Sequence, residues 1–448
     1  MDQRQLRILD GDLRAYIGSM VDGMGRPERR SSMGAYVTGL LLDGERKSIE
    51  PMARRLVDDP SEVQAMRQRL QECVSSSKWS DAEMFGRLAR KLDRELPGVE
   101  ALVIDDTGFP KKGRHSVGVA RQYSGTLGRT DNCQVAVSLH LASESGSGCI
   151  GMRLYLPEQW ASDEARRTKA GVPSEVVFKE KWKLSLDQID AALEAGVRKH
   201  VVLADPGYGQ VGEFRDGLVL RGLPYVVGIT GKTVVWGAES NPKPQLVRGK
   251  SGGTRNRYLD DEHPPEAVSE LALRLNYKTV SWRNGSKGRL SSRFALTRIR
   301  TAHQHSLGRA PGDEQWLLCE WPEGEDAPTK FWLSNLPADT SLRALVRFSR
   351  MRWRVERDYQ EMKQELGLDH FEGRTWRGFH HHAALCAVAH GFLALRRALF
   401  PPEDSLDPAD GSSASSANPA PVDRLLPAVP PGHQRVNDAS RTITELIR

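Results

Sequence analysis

Apolar residues recur at intervals of three and four in AYVTGLLLDGERKSIEPMARRLV (35–57) and again in SDAEMFGRLARKLDREL (80–96), the period of helices with one buried face. Ser80 or Asp81 is placed to cap the second stretch, and Pro97-Gly98 closes it. Residues 1–97 are therefore expected to form a separate helical domain. The period then shortens. ALVID (101–105) is a β-rich run ending in acid, ahead of the turn-like, basic TGFPKKGR, and predicts a buried strand that stops at Asp105. Residues 133–142 alternate through Val135, Val137, Leu139 and Leu141, and 150–156 through Ile150, Met152, Leu154 and Leu156, a strand's period of two. Ser185 and Gln188 read as a capping box for a helix over LDQIDAALEAGV, which Gly196 is placed to end. HVVLAD (200–205), a helical stretch around 212–220 and the apolar PYVVGIT (224–230) complete the order β-β-β-α-β-α-β. That order predicts an α/β fold, a mixed sheet covered by helices.

Residues 231–340 carry short β-like pieces (KTVVW, KTVSW, RFALTRI, EQWLLCEW, KFWLSNL) between turns rich in Gly, Pro and Asn, and read as an inserted β-rich subdomain splitting the core into 98–230 and 341–400. Within it RGKSGGTRNR (248–257) is expected as a solvated basic loop, with a DNA contact as the alternative. Helical spacing returns at 341–368, where Phe348, Met351, Val355, Tyr359, Met362 and Leu366 form one stripe, and another helix covers HHAALCAVAHGFLALRRAL. Beyond 400 the chain turns to Pro, Ser, Ala and Asp, so 401–448 is expected to be a linker and tail.

At 448 residues the chain is long enough for two or three domains, and it contains no apolar run near the ~18–20 residues needed to cross a bilayer. The charged N-terminal stretch lacks the apolar core of a secretory signal, which makes the cytoplasm the expected compartment. Five scattered cysteines with no C-x-x-C pair argue against a disulfide framework or a thiolate zinc site. A net charge of +6 favours a polyanionic partner.

The candidate chemistry lies in the acids. ALVID and VVLAD each deliver an aspartate, Asp105 and Asp205, to the carboxyl end of a strand, where open α/β sheets place their binding sites. Glu356 lies on a late helix that can pack back on the same sheet. Three oxygen ligands from distant parts of a chain suit hard cations such as Mg2+ or Mn2+. Two such ions ~3.5–4 Å apart can stabilise both the attacking and leaving oxygens of a phosphoryl displacement. Taken singly, each acid better suits a strand-end turn or, for Glu356, an ion pair with Arg352 one turn away, and only the ensemble favours a metal site.

IDDTGFPKKG, GVARQYSGTLGRTDNCQVAVSL, LADPGYG and MRWRVERDYQEMKQELGLDHFEGRTWRGFHHH resemble the DDE transposases of bacterial insertion sequences, over roughly residues 30–395. The resemblance implies a ribonuclease H-like core with helices on both faces of its sheet. It also implies an acid from the first strand in a D-x-T context, an acid from the fourth strand and a glutamate from a late helix. Asp105 with Thr107 fits the D-x-T pattern, although Asp106 remains an alternative first ligand. One branch of that family has a β-rich insertion before the glutamate, and 150 residues separate Asp205 from Glu356 here. The same branch has the signature Y-(2)-R-(3)-E-(6)-K, which Arg352, Glu356 and Lys363 match while Ser349 stands at the tyrosine position. The implied activity is cut-and-paste transposition: cleavage of double-stranded DNA at the element's terminal inverted repeats, then attack of the freed 3′-hydroxyl on target DNA, by a homodimer using two Mg2+ or Mn2+ ions. Two other outcomes stand beside it, a domesticated DNA-binding protein and a metal-dependent nuclease without strand transfer.

Among the remaining candidates, Arg352 and Lys363 are expected to bind DNA phosphates, since neither cation can ligate a metal. Lys111, Lys112 and Arg114 follow the first acid-bearing strand and are candidate phosphate contacts. Trp282 in VSWRNGS is a candidate stacking platform for an unpaired base. His380, His381 and His382 diverge by ~100° per residue on a helix and cannot converge on one ion. Residues 1–97, with basic residues at Arg26–Arg30 and Lys47, are the expected reader of the DNA end.

Overall fold

The computed structural model describes residues 3–125, 128–248, 254–285, 288–302 and 308–399; the expected tail over 401–448 and the centre of the RGKSGGTRNR loop lie outside them. The described residues form two compact units, one from 3–88 and 360–399, the other within 89–359.

The first unit is helical. Its N-terminal part contains α1 (Gln3–Val21), α2 (Pro27–Leu41), α3 (Ile49–Leu56) and α4 (Val63–Ser75), followed by the start of α5 (Asp81–Glu95). The long apolar stretch at 35–57 is divided between α2 and α3 by a turn in which Gly44 has φ 141°. Ser80 caps α5, its hydroxyl accepting the Glu83 amide at 3.1 Å.

The second unit is built on a sheet. Its first strands are β1 (Ala101–Pro110), β2 (Ala120–Ser124), β3 (Arg129–Ala142) and β4 (Ser147–Leu154). The short helices α6 (Glu158–Ala161) and α7 (Glu164–Ala170) lead to α8 (Lys181–Glu194), β5 (Val201–Ala204), the one-turn α9 (Pro206–Gly209), α10 (Gly212–Leu220) and β6 (Tyr225–Ile229). β3 runs antiparallel to β1 and β4 antiparallel to β3, whereas β5 and β6 are parallel to β1, giving the spatial order β4-β3-β1-β5-β6.

β1 does not stop at Asp105. It continues to Pro110 because β3 is long enough to pair with it as far as Cys133, and Phe109 is buried there. The parallel partner β5 does stop, at Ala204 opposite Ile104. The helix predicted from Ser185 starts earlier, at Lys181. Ser185 is an interior residue whose hydroxyl donates to Trp182 O, and the Gln188 amide donates to Val137 O on β3, so both side chains have partners other than a cap. Gly196 ends α8 as expected, with φ 94°: its amide bonds Leu193 O, and the Val197 amide bonds Ala192 O.

The insert contains β7 (Val234–Trp236), β8 (Lys243–Arg248), β9 (Thr254–Leu259), β10 (Glu266–Ala267), α11 (Val268–Ala272), β11 (Lys278–Gly285), β12 (Gly288–Thr301), β13 (Glu314–Trp321) and β14 (Lys330–Ser334). These strands extend the core sheet rather than closing one of their own, continuing from β6 in the order β14-β13-β12-β7-β10, with β11 beside β12. Only β8 and β9 pair apart, as a two-stranded sheet.

The helical stripe at 341–368 is two helices, α12 (Leu342–Met351) and α13 (Trp353–Gln364), divided at Arg352, where the Val355 amide takes up Arg352 O three residues back. The last helix, α14 (Trp376–Leu399), belongs to the helical unit and is buried along most of its length. There Tyr16 donates to Val388 O, and Tyr36 pairs with His382 Nδ1 at 2.9 Å. The three adjacent histidines are buried, each with a different partner: His380 with Trp376 O, His381 with Trp79 O and stacked on the Trp79 ring, His382 with Gly367 O.

Candidate active site

Side chains alternate across a strand, so Asp105 and Asp106 leave β1 on opposite faces. Asp105 is opposite Ser138 and Val103 opposite His140 on β3, and the helix α13 lies over that face, with Tyr359 bonded to Ser138 and Asp358 to His140. Asp106 is on the other face, covered by α8, where Lys181 Nζ donates to its Oδ2 at 2.8 Å. The sheet therefore carries a helix on each side at this point, and Asp105 shares its side with the helix that bears Glu356.

Asp205 is the first residue beyond β5. With Ala204 in register with Ile104, its backbone neighbours that of Asp105 across the parallel pair. It turns out of the strand as the cap of α9, its carboxylate facing the Tyr208 amide at 3.4 Å. The glycines of LADPGYG allow that turn to lie against β6: a Cβ at Gly209 would come within 2.0 Å of Gly228 O, and one at Gly228 within 2.8 Å of the Pro206 ring.

Arg352 ties the acids together. Its Nη1 donates to Asp105 Oδ2 at 2.7 Å and its Nη2 to Glu356 Oε1 at 3.1 Å. Burial pushes the Asp105 carboxyl up to about 6, against the pull of Arg352 and with Asp205 and Asp106 adding to the rise. Asp205 is raised as well, by burial first and with Asp106 adding, again opposed by Arg352. Glu356 stays in contact with water, its side chain 65% exposed. With the guanidinium bridging Asp105 and Glu356, no group of three or more His, Cys, Asp or Glu side chains among the described residues is set to hold a metal ion.

The chemistry of the donor set nonetheless fits a divalent cation. The three side chains are carboxylates, and Asp105 and Asp205 are both raised by burial and by neighbouring acids, which is the electrostatic demand a hard cation satisfies. Beside them Tyr208 is buried with Asp106, Asp105 and Asp205 all raising its pKa, and its hydroxyl has no hydrogen-bond partner among the described residues. Arg352 supplies positive charge to Asp105 and Glu356 on this face.

The other predicted residues are dispersed. Lys363 lies two turns beyond Glu356 on α13, its pKa lowered by burial and partly restored by Asp369. Lys112 and Arg114 are exposed in the turn after β1, and Lys111 is half-buried there, its amide bonded to Asn132 O. Trp282 on β11 has the Arg350 guanidinium 4.2 Å from its ring centre and Phe294 edge-on at 5.9 Å. Lys181 and Tyr208 were not foreseen from sequence. For Tyr208 a signal was present: it follows Asp205 by three residues, the spacing at which a capping carboxylate meets an amide. Lys181 had none, since only the packing of α8 brings it to Asp106.

Comparison with known proteins places the chain in a family. The family model described as DDE superfamily endonuclease matches residues 19–289, more than half of the chain. The chain is also 30% identical over 337 residues, 74% of each sequence, to the "Probable transposase for insertion sequence element IS701" of Microchaete diplosiphon. The chain therefore belongs to the DDE endonuclease superfamily, with the insertion-sequence transposases, a superfamily whose members generally work with divalent metal ions.

Proposed function

We propose that this chain is a cut-and-paste transposase in which Asp105, Asp205 and Glu356 hold two divalent metal ions, Mg2+ or Mn2+, on a ribonuclease H-like core. The observation that carries the reading is that adjacent parallel strands bring Asp105 and Asp205 to neighbouring positions, with Glu356 joined to Asp105 through Arg352. The strand order β4-β3-β1-β5-β6 supports the ribonuclease H-like assignment. Asp105 is preferred to Asp106 as first ligand because it shares a face with α13, whereas Asp106 is paired with Lys181. Bound ions would supply stabilisation of the attacking and leaving oxygens of an in-line displacement at phosphorus.

The chain's own residues position the DNA. Arg352 and Lys363 take phosphates on either side of the scissile bond, Lys111, Lys112 and Arg114 those next to β1, and Trp282 offers a ring to an unpaired base once Arg350 moves aside. Residues 1–97 bind the terminal repeat, a role supported by a groove of about 750 Å3 in the helical unit lined by Arg26, Arg29 and Arg69. Two copies act together on the paired ends, at the bacterial nucleoid.

The test uses a duplex ending in the element's terminal repeat, with Mg2+ or Mn2+ and a target plasmid. Wild-type protein is expected to cut the duplex and join its 3′ end to the plasmid. Asp105→Asn, Asp205→Asn and Glu356→Gln should each lower both steps at least ~10^3-fold while gel-shift affinity for the end is retained. Cutting without joining would make the chain a nuclease, and end binding without metal-dependent cutting by the wild type a domesticated binder.

A further inference from the structure

The two aspartates and the glutamate are held by different means. Asp105 sits on β1 and Asp205 directly follows β5, two strands whose relative position is fixed by backbone hydrogen bonds. Glu356 is on a helix, which no backbone ladder ties to the sheet; rotation of α13 by one residue's worth would swing it ~100°.

Beneath α13, the core of the sheet contains an unusual concentration of polar side chains. Asp358, 4% exposed, takes His140 Nδ1 on Oδ2 at 2.7 Å and the Ser147 hydroxyl on Oδ1 at 2.6 Å. The next residue, Tyr359, shares a hydrogen bond of 2.5 Å with Ser138 Oγ, and Ser138 Oγ lies 3.0 Å from His140 Nε2. The His140 ring also stands edge-on to that of Tyr359, with centroids 5.4 Å apart. Ser138, His140 and Ser147 are all buried, on β3 and β4.

Such a network is costly as a stabilising device, because apolar residues of similar size often do as well or better than a buried ion pair. What it provides is direction. Two successive helix residues are bonded to two residues, Ser138 and His140, that stand on one face of β3, and Ser138 is the register partner of Asp105. The chain of contacts therefore runs from the strand beside Asp105, through Ser138 and Tyr359, to a point three residues from Glu356.

We propose that Ser138, His140, Asp358 and Tyr359 are positioning residues that set the rotation of α13 and thereby the distance from Glu356 to Asp105. The proposal rests on the reading of these two acids as ligands of one metal site. None of the four is expected to touch metal or DNA. Removing one hydrogen bond at the Tyr359 end should loosen Glu356 without emptying the core, since the ring and its packing stay.

The test is a Mn2+ titration of end cleavage by the full-length protein, with kcat and KM for the DNA end measured separately and melting temperature followed in parallel. Tyr359→Phe and Ser138→Ala are each expected to raise the half-saturating Mn2+ about tenfold and to lower kcat, leaving KM for DNA unchanged. The double variant should be no worse than Ser138→Ala alone, because that substitution already removes the bond to Tyr359 as well as the one to His140. Leu345→Ala, a fully buried position on α12 outside the network, serves as the control: it should lower the melting temperature and leave the half-saturating Mn2+ alone. If Tyr359→Phe and Ser138→Ala behave like that control, the network is only structural and the proposal is overturned. A wild-type protein whose cleavage is indifferent to Mn2+ would instead overturn the metal-site reading, and the proposal with it.

Discussion

Arg352→Gln should make the DNA-free protein bind divalent metal more tightly, although it removes a residue expected to aid the reaction. In the free protein the Arg352 guanidinium occupies lone pairs on Asp105 and Glu356, at 2.7 and 3.1 Å, and these must be released before either oxygen can ligate a cation. A hydrogen bond to a charged, largely buried group contributes about 1.5–3 kcal/mol. The arm to Glu356, whose side chain is 65% exposed, adds only ~0.3–0.5 kcal/mol. Part of the sum returns when the freed guanidinium is rehydrated. A net ~1.5–2 kcal/mol remains, which at 1.4 kcal/mol per decade is a gain of about 10–30-fold in metal affinity. Glutamine keeps much of the length and loses the charge. The assay is calorimetric titration of full-length protein with Mn2+ at pH 8, well above the Asp105 pKa of about 6 in the wild type. Adding a DNA end should tighten Mn2+ binding to wild type, by drawing Arg352 onto a phosphate, and should do so less for the variant. Unchanged or weaker Mn2+ affinity in DNA-free Arg352→Gln would refute this account, since the guanidinium would then not be competing with the metal.

Two other outcomes concern the acids themselves. The folded protein holds the Asp105 proton more tightly than an unfolded chain does, about 6 against ~3.9, so ionising it costs stability as pH rises from about 4 to above 6. At about 1.36 kcal/mol per unit the cost approaches ~3 kcal/mol at pH 7 without metal. Asp105→Asn should therefore melt above wild type at pH 7 in chelator and lose that advantage by about pH 4; an advantage independent of pH would count against it. Gly209→Ala should lower the melting temperature and cleavage together, because its Cβ would fall 2.0 Å from Gly228 O and push the Asp205 turn off β6. A crystal structure of that variant with Asp205 undisplaced would remove the reason for the loss.

Much of this protein is written locally. The period of the apolar residues separates the helical first hundred residues from the strands that follow, and VVLAD ends in acid where β5 stops, whereas the acid of ALVID falls within a strand that continues to Pro110. Gly196 marks a helix end locally, since glycine takes up the positive φ found there without a steric penalty. Whatever depends on which element lies across from which was not legible. Alternation puts Asp105 and Asp106 on opposite faces of β1, but only the docking of α13 and α8 decides that the first meets Arg352 and the second Lys181. The pieces of the insert read as strands, yet their apolar faces do not say whether they close a sheet or extend one, and the pairing of β14 with β6 decides it. Ser185 and Gln188 matched a helix start by spacing, and lost that role because α8 begins earlier and Gln188 found a carbonyl on β3. His140 and Ser138 look like ordinary alternating strand residues until Asp358 and Tyr359, more than two hundred residues later, arrive above them. Periodicity records which side of an element is buried; a partner distant in sequence is chosen by the packing of whole elements, and no window along the chain contains it.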